Sequence, residues 1–344
     1  MLAGNKTNTK LLVLGGYTST DEIVVCSGWL DDVEVIDLEK SSTCIEGGAV
    51  QFSSQRSLDE TSHLSKNFPK RITDSAGGMM ENTPVVCGGI NENWVASRSC
   101  YAMIDTRNWK TMGNMSVERS SFASIITKHG LLVIGGLDRG RKLLDSVEIL
   151  SSLNGNFTNR KPFETPIFSS CMAAIDDNNV LLIGGYFYGF ELTNRMWKYA
   201  IQEDSWEEMP PMRLARAQHS CIAVKDRDDN TINIVVAGGA VEGSFGSNSV
   251  EIFDPVSKAW IGGPELPFNV SLSQLIDDGL EGGGAMLIGG RVTMNSNTQR
   301  LESILHLPQR MSKWKRIGRY MKIKRASHVA MMIPETLISC DNEN

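Results

Sequence analysis

Lys128-His-Gly-Leu-Leu-Val-Ile-Gly-Gly136 is a short apolar run that stops at two glycines. The figure recurs as LLVLGG ending at Gly15-Gly16, PVVCGG at Gly88-Gly89, LLIGG at Gly184-Gly185, IVVAGG at Gly238-Gly239 and MLIGG at Gly289-Gly290. Successive pairs are 73, 47, 49, 54 and 51 residues apart. One such pair is a turn signal; six at a nearly constant interval are a repeat, and a repeat decides the architecture.

Two more landmarks keep step. An aromatic follows the second glycine by 20 to 24 residues, as Trp109, Phe157, Trp206, Trp260 and Trp314. About ten residues later an arginine (Arg119, Arg216, Arg325) opens an apolar run such as RSSFASIIT, RAQHSCIAV or RASHVAMMI. Between glycines and aromatic lies a short strand with a polar turn, best seen in SVEILSSLNGNF and SVEIFDPVSKAW. Each unit therefore reads as four short strands, A to D in chain order. The runs do not alternate cleanly, so these strands are buried on both faces. No stretch holds a helical period.

A four-stranded sheet that buries both faces must sit between copies of itself. A radial array achieves this and leaves only short, protected edges. The expected fold is all-β, a six-bladed β-propeller forming a single domain over 1–344. Glycine at the end of strand B permits close backbone approach where the blades crowd the axis. The chain enters in strand B of the first unit, and Arg325–Ile333 reads as a strand A with no unit after it. The C-terminal strand is thus expected to complete blade 1. That blade departs from the pattern, with Cys44 in place of the aromatic and a polar stretch over about 45–71 read as a long loop. A hidden seventh blade there is the competing reading, but the segment lacks a glycine-paired run.

These residues resemble the kelch repeat, as found in kelch and galactose-oxidase-like propellers: an apolar run ending in Gly-Gly, then a short apolar strand and a spaced Trp. The resemblance covers about Leu11 to Ile333. It departs at Cys44, at Phe157, and in blade 5, where no arginine follows Trp260. It implies a β-propeller of the kind that commonly binds proteins, in some cases as a substrate adaptor or scaffold for ubiquitin ligases. Nothing in the chain resembles the BTB or BACK segments of such adaptors.

Composition is that of an ordinary globular chain, 41% hydrophobic and 22% charged. A net charge of −6 argues against nucleic acid, which needs a basic face. No apolar run approaches the roughly 20 residues that span a bilayer. The polar start, Asn5 to Lys10, is not a signal peptide. That points to the cytoplasm, or to an extracellular protein if the chain is a mature or truncated form.

In an antiparallel A–B–C–D sheet, the B–C and D–A connections emerge at one end, and the longer variable loops lie there. Candidate partner contacts on this face are Trp94, Arg139, Arg141, Tyr186, Tyr188, Phe245 and Arg291. The blade 4 loop carries Tyr186, Phe187, Tyr188 and Phe190, and aromatics with arginine dominate interface hot spots. Of these rings, Phe187 and Phe190 are the more open to folding inward. Arg139, Arg141 and Lys142 on blade 3 suit a peptide with an acidic residue, or form a solvated loop.

No catalytic, phosphate or dinucleotide motif is present, and no cofactor or metal is expected. His219 and His328, both in R-A-x-H, read as structural rather than as ligands. GLEGGGAML at 279–287 precedes a strand, so it makes no helix-terminal phosphate cradle. Cys87 and Cys100 flank one hairpin, and Cys171 and Cys221 hold like places on strand A of consecutive blades. Each pair is either a disulfide or two buried thiols. The expectation is a monomeric, non-catalytic module that binds a protein or peptide. The alternative is a carbohydrate-active enzyme or lectin-like module using the central funnel.

Overall fold

The computed structural model describes residues 10–19, 27–29, 33–37, 43–44, 68–105, 108–225, 231–278, 284–294, 297–308 and 312–333. The long stretch expected over 45–71 falls largely outside them, as do the side chain of Cys44 and most of the 279–287 glycine run.

Six antiparallel blades follow one another, each ordered A–B–C–D from its inner strand outward, and blade 6 adds a fifth strand, Arg291–Met294, which pairs as a hairpin with the start of its strand C, Asn297–Leu307. Blade 3 is representative: Ala123–Thr127, Gly130–Ile134, Val147–Leu150 and Phe157–Arg160. The inner strands of blades 2, 4, 5 and 6 are Ala76–Met80, Cys171–Ala174, Ser220–Lys225 and Gln274–Asp277. Blade 1 takes its inner strand from the other end of the chain. Val329–Ile333 pairs antiparallel with Lys10–Leu14, from Lys10 opposite Ile333 to Leu14 opposite Val329. The ring closes as the sequence led us to expect.

The buried apolar side chains explain why the runs do not alternate. They fall into six clusters, one per seam between blades. Leu12 and Leu14 face blade 2 and pack with Ile72, Val86 and Tyr101. Their neighbours Leu11 and Val13 face blade 6 and pack with Ile288 and Ile304. Every strand B is thus apolar on both faces, and no blade is dry alone.

The glycine pairs are seam hardware. Gly135 and Gly136 have φ of +65° and +94°. A Cβ on Gly135 would stand 2.2 Å from the Ile167 carbonyl oxygen, and one on Gly136 would stand 2.6 Å from that of Ser120. What this closeness achieves is a hydrogen bond. Gly136 N–H donates to the Ile167 carbonyl, on the linker entering the next blade, at 2.8 Å. The second glycine of each pair repeats it: Gly16 to Ile72, Gly89 to Arg119, Gly185 to Arg216, Gly239 to Val270 and Gly290 to Arg325, at 2.8–3.0 Å. A side chain would push linker and blade apart.

At the hub the backbone forms a closed circuit. Asp74, Ser121, Ser169, Gln218, Leu272 and Ser327 each precede an inner strand, and each has φ between +50° and +56°. Every one donates its N–H to the carbonyl of its counterpart in the preceding blade, at 2.7–3.2 Å, with Asp74 bonding to Ser327 across the closure. Left-handed backbone is costly for residues with a Cβ. Here each such residue gains a donor and an acceptor near the axis that would otherwise be unpaired. Blade 1 is followed in this ring directly by blade 2, so the blades number six.

The blades are of two kinds, in alternation. Linkers entering blades 1, 3 and 5 carry Arg325, Arg119 and Arg216; those entering blades 2, 4 and 6 carry Ile72, Ile167 and Val270. Each arginine is buried and pairs with a buried strand C glutamate: Arg119 with Glu148, Arg216 with Glu251 at 2.7 Å, and Arg325 with Glu34 at 3.1 Å. Each also donates to the carbonyl of the first glycine of its blade, Gly135, Gly238 or Gly15. In the other blades Tyr101, Trp197 and Leu305 stand in the glutamate position. The arginine read as a general landmark thus marks every second blade, and its absence after Trp260 is part of this alternation.

The strand D aromatics pack back on the linker entering their own blade. Trp109 meets Phe68 edge-on at 4.9 Å. Trp260 and Trp314 donate their indole N–H to the carbonyls of Pro210 and Pro264, each at 2.8 Å.

Candidate partner-binding face

The B–C loops rise from the end of the propeller that carries the hub circuit. In blade 2, Asn91 Oδ1 accepts the N–H groups of Asn93 and Val95 at 3.0 Å each, folding the loop on itself. This lifts Trp94, at φ +59°, outward. In blade 3, Asp138 Oδ1 does the same for Gly140 and Lys142, at 2.7 and 2.9 Å. Arg141 then lies with its guanidinium 5.7 Å from the centre of the Trp94 ring. In blade 4, one 3₁₀ turn, Tyr188–Phe190, passes through left-handed Gly189 and Phe190. It brings Phe190 edge-on to Phe168 at 5.4 Å.

Trp94, Arg141, Asp138, Phe187 and Phe190 border a cavity of about 380 Å³, with Asp74 of the hub circuit in its wall. Trp94 is 59% exposed, Tyr188 85%, Phe190 72% and Phe245 71%. These four are the largest exposed apolar side chains among the described residues, and all stand on B–C loops.

The structure divides the residues singled out from sequence into groups. Trp94 and Arg141 come together beside Phe190. Phe245 and Arg291 form a second pair, with the guanidinium 5.9 Å from the ring. Tyr188 and Arg139 project outward, each from its own loop. Tyr186 is half-buried and stacks on Phe168 at 5.1 Å; burial pushes its phenol up, against the opposing charge of Arg291. Of the two rings open to folding inward, Phe187 packs toward Trp197 while Phe190 stays outside.

Three groups of this face carry no signal in the sequence. Asp74 sits in the hub circuit, and burial raises its carboxyl to about 6 despite a hydrogen bond from Ser327 and the charge of Arg291. Arg300 lies directly opposite Arg291 across the blade 6 hairpin. Its guanidinium covers Tyr17 at 4.6 Å. Burial raises the Tyr17 phenol, while Arg291 and Arg300 act against this. No shared side chain marks the three as a group, and only the closed ring brings residues 17, 74 and 300 into one place.

The inner strands surround an axial channel of about 580 Å³ lined by serine, alanine and aliphatic side chains. Its carboxylates, Asp74 and Asp277, belong to different blades and to opposite ends of the inner strands, so they do not form an acid–base pair. Among the described residues no three His, Cys, Asp or Glu side chains are grouped to hold a metal ion. His219 and His328 are buried in seams, behind Arg216 and Arg325. Burial, and then Arg216 or Arg325, lowers each to about 3. In blade 3 the same place is filled by Phe122.

Both cysteine pairs are joined as disulfides. Cys87 and Cys100 face each other across strands B and C of blade 2. Cys171 and Cys221 join the inner strands of blades 4 and 5, with Cα atoms 5.9 Å apart. The sequence suggested equivalent places for Cys171 and Cys221, and the structure sets them one residue out of step. Counted from the hub residue, Cys171 is second and Cys221 third, and the bridge runs diagonally over the seam.

No helix among the described residues is long and apolar enough to cross a membrane. No protein-family model matches the chain. Curated proteins similar to it include three with kelch in their names. Kelch-like protein 40 of Xenopus tropicalis is 23% identical over 289 residues, covering 80% of this chain and 45% of that protein. Kelch repeat and BTB domain-containing protein 12 of Danio rerio is 25% identical, covering 47% of this chain and 27% of its own length. An F-box/kelch-repeat protein of Arabidopsis thaliana is 24% identical, covering 42% and 36%. The chain spans less than half the length of each. Six glycine-paired blades in register, closed by the last strand, make a six-bladed β-propeller, and these likenesses support a propeller of the kelch-repeat kind.

Proposed function

We propose that the chain is a non-catalytic interaction module that holds a protein or peptide partner on its B–C loop face. The observation that carries this reading is the placement of Trp94, Tyr188, Phe190 and Phe245. A soluble surface rarely exposes several large rings together unless something covers them. Such rings beside arginine supply most of the binding energy in protein interfaces. The cavity under Trp94 and Phe190 has the volume of one or two side chains of a bound segment. Similarity to kelch-repeat proteins supports the same class of function by analogy of fold.

The test is proximity labelling or affinity capture with the wild-type chain and with a Trp94→Ala/Phe190→Ala variant. Both rings are largely exposed, so the variant should melt within a few degrees of wild type. Partners that are captured by wild type and lost from the variant support the face. An identical captured set would move the function elsewhere on the propeller.

A further inference from the structure

Arginines that are buried wholly or in part come in two conditions in this protein. Arg119, Arg216 and Arg325 each have a glutamate, a glycine carbonyl and a fixed place in a seam. Arg291 and Arg300 have none of these. They are cross-strand neighbours on blade 6, at the axial side of the loop face. Among the described residues neither forms an ion pair within 4 Å. All the side-chain hydrogen bonds of Arg291 come from one nitrogen, Nη2, and go to neutral oxygens: Gln218 Oε1 at 3.1 Å, Ser271 Oγ at 3.3 Å and the Phe245 carbonyl at 3.5 Å. Arg300 rests on the face of Tyr17. The Nε atoms of both are buried and have no partner among the described residues.

Two like charges directly opposite on a hairpin repel, and a partly buried guanidinium without a counter-ion gives up hydration for nothing. The local carboxylate, Asp74, feels the charge of Arg291 but lies beyond ion-pair distance. The pair is held in place by neutral contacts on one side only: Gln218 and Ser271 fix Arg291, and the Tyr17 ring fixes Arg300. Guanidinium geometry matches a carboxylate with two parallel hydrogen bonds.

We propose that Arg291 and Arg300 together bind a carboxylate of the protein partner, at a subsite next to the aromatic one. This rests on the loop-face reading and adds the chemistry of the ligand to it. The partner places an apolar or aromatic side chain in the Trp94–Phe190 cavity and an acidic group over blade 6. The acidic contact in this reading lies at blade 6, beside the basic loop of Arg139, Arg141 and Lys142.

The probe is a displayed library of random 15-residue peptides, selected on the whole chain. The expected winners are enriched in Asp or Glu, and exchanging that residue for Asn or Gln weakens binding at least tenfold. This variation is on the peptide, so folding of the protein is not at issue. On the protein, Arg291→Gln and Arg300→Gln should each reproduce the loss, and Arg291→Lys should restore part of it. Raised salt should weaken wild type more than either variant. If the required carboxylate is that of the peptide C-terminus, amidation removes binding and side-chain exchange does not; either source supports the subsite. Winners that need Trp94 or Phe190 but carry no required carboxylate overturn the subsite and leave the loop face standing. Winners indifferent to Trp94, Phe190, Arg291 and Arg300 overturn both.

Discussion

Arg216 Nη2 lies 2.7 Å from Glu251 Oε1, and the two side chains are 0% and 4% exposed. Glu251 Oε2 also accepts the N–H of Arg213 at 2.7 Å. The glutamate is therefore the hinge between strand C of blade 5 and the linker that delivers strand A.

Removing one member leaves a buried charge alone. Glu251→Ala should cost about 3–5 kcal/mol of unfolding free energy, while Arg216→Met/Glu251→Met should recover much of it. Urea denaturation of both variants checks this. If the single change is as mild as the double, the pair is not a desolvated clamp.

The closure of the ring is open to a direct test. Truncation after Lys324 removes Arg325 and the strand Val329–Ile333, leaving Lys10–Leu14 unpaired on one side. It also breaks the hub circuit at Ser327. The truncated chain should lose its cooperative melt by circular dichroism. A melting temperature equal to that of the full chain would mean that the blades stand without the latch.

Two kinds of titration act on stability with opposite sign. His219 and His328 are lowered from 6.5 to about 3, so the folded state holds them neutral. Above pH 6.5 they cost nothing. As pH falls below 6.5 the unfolded chain takes up protons that the folded one refuses, and stability declines until about pH 3. At roughly 1.4 kcal/mol per unit, each can cost up to about 4–5 kcal/mol. His219→Phe/His328→Phe, which copies Phe122, should flatten the decline between pH 6.5 and 4. Asp74 is raised from 3.8 to about 6, so its cost appears as pH rises through that window. Asp74→Asn should stabilise by about 2 kcal/mol at pH 7 and by little at pH 4. Chemical denaturation across pH reads both; parallel wild-type and variant curves would contradict the assignment.

The cysteines give a count. The chain has seven, and the two bridges remove four from titration. Protein purified without reductant should show at most three thiols in denaturant. Seven would show that the pairs are held as thiols. Reducing the diagonal Cys171–Cys221 bridge should lower the melting temperature, because it frees two inner strands of adjacent blades.

What could be read from the chain follows from where each role is written. The glycine pairs were legible because only glycine fits between a blade and the next linker, so the residue type itself repeats. The strand D aromatics repeat for a similar reason. The hub circuit was invisible: Asp74, Ser121, Ser169, Gln218, Leu272 and Ser327 share no side-chain chemistry, because the circuit uses only backbone. Arg119, Arg216 and Arg325 were seen, but their alternation was not. Its other half is three glutamates on distant strands and three aliphatic residues, Ile72, Ile167 and Val270, that raise no flag. On the loop face, Trp94 and Arg291 could be named from their loops. That Trp94 would meet Arg141, and Arg291 would meet Arg300, depends on the turn geometry set by Asn91 and Asp138 and on hairpin register.

The alternation limits how such a ring can be resized. The His328, Phe122 and His219 side chains reach the first glycine of the blade before them, while Ile72, Ile167 and Val270 cover that glycine at the other seams. The true brick is therefore a pair of unlike blades, and three bricks tile the circle. Adding or deleting a lone blade would force two identical edges to meet, one seam crowded and its mate hollow; only exchange in twos would keep every joint matched.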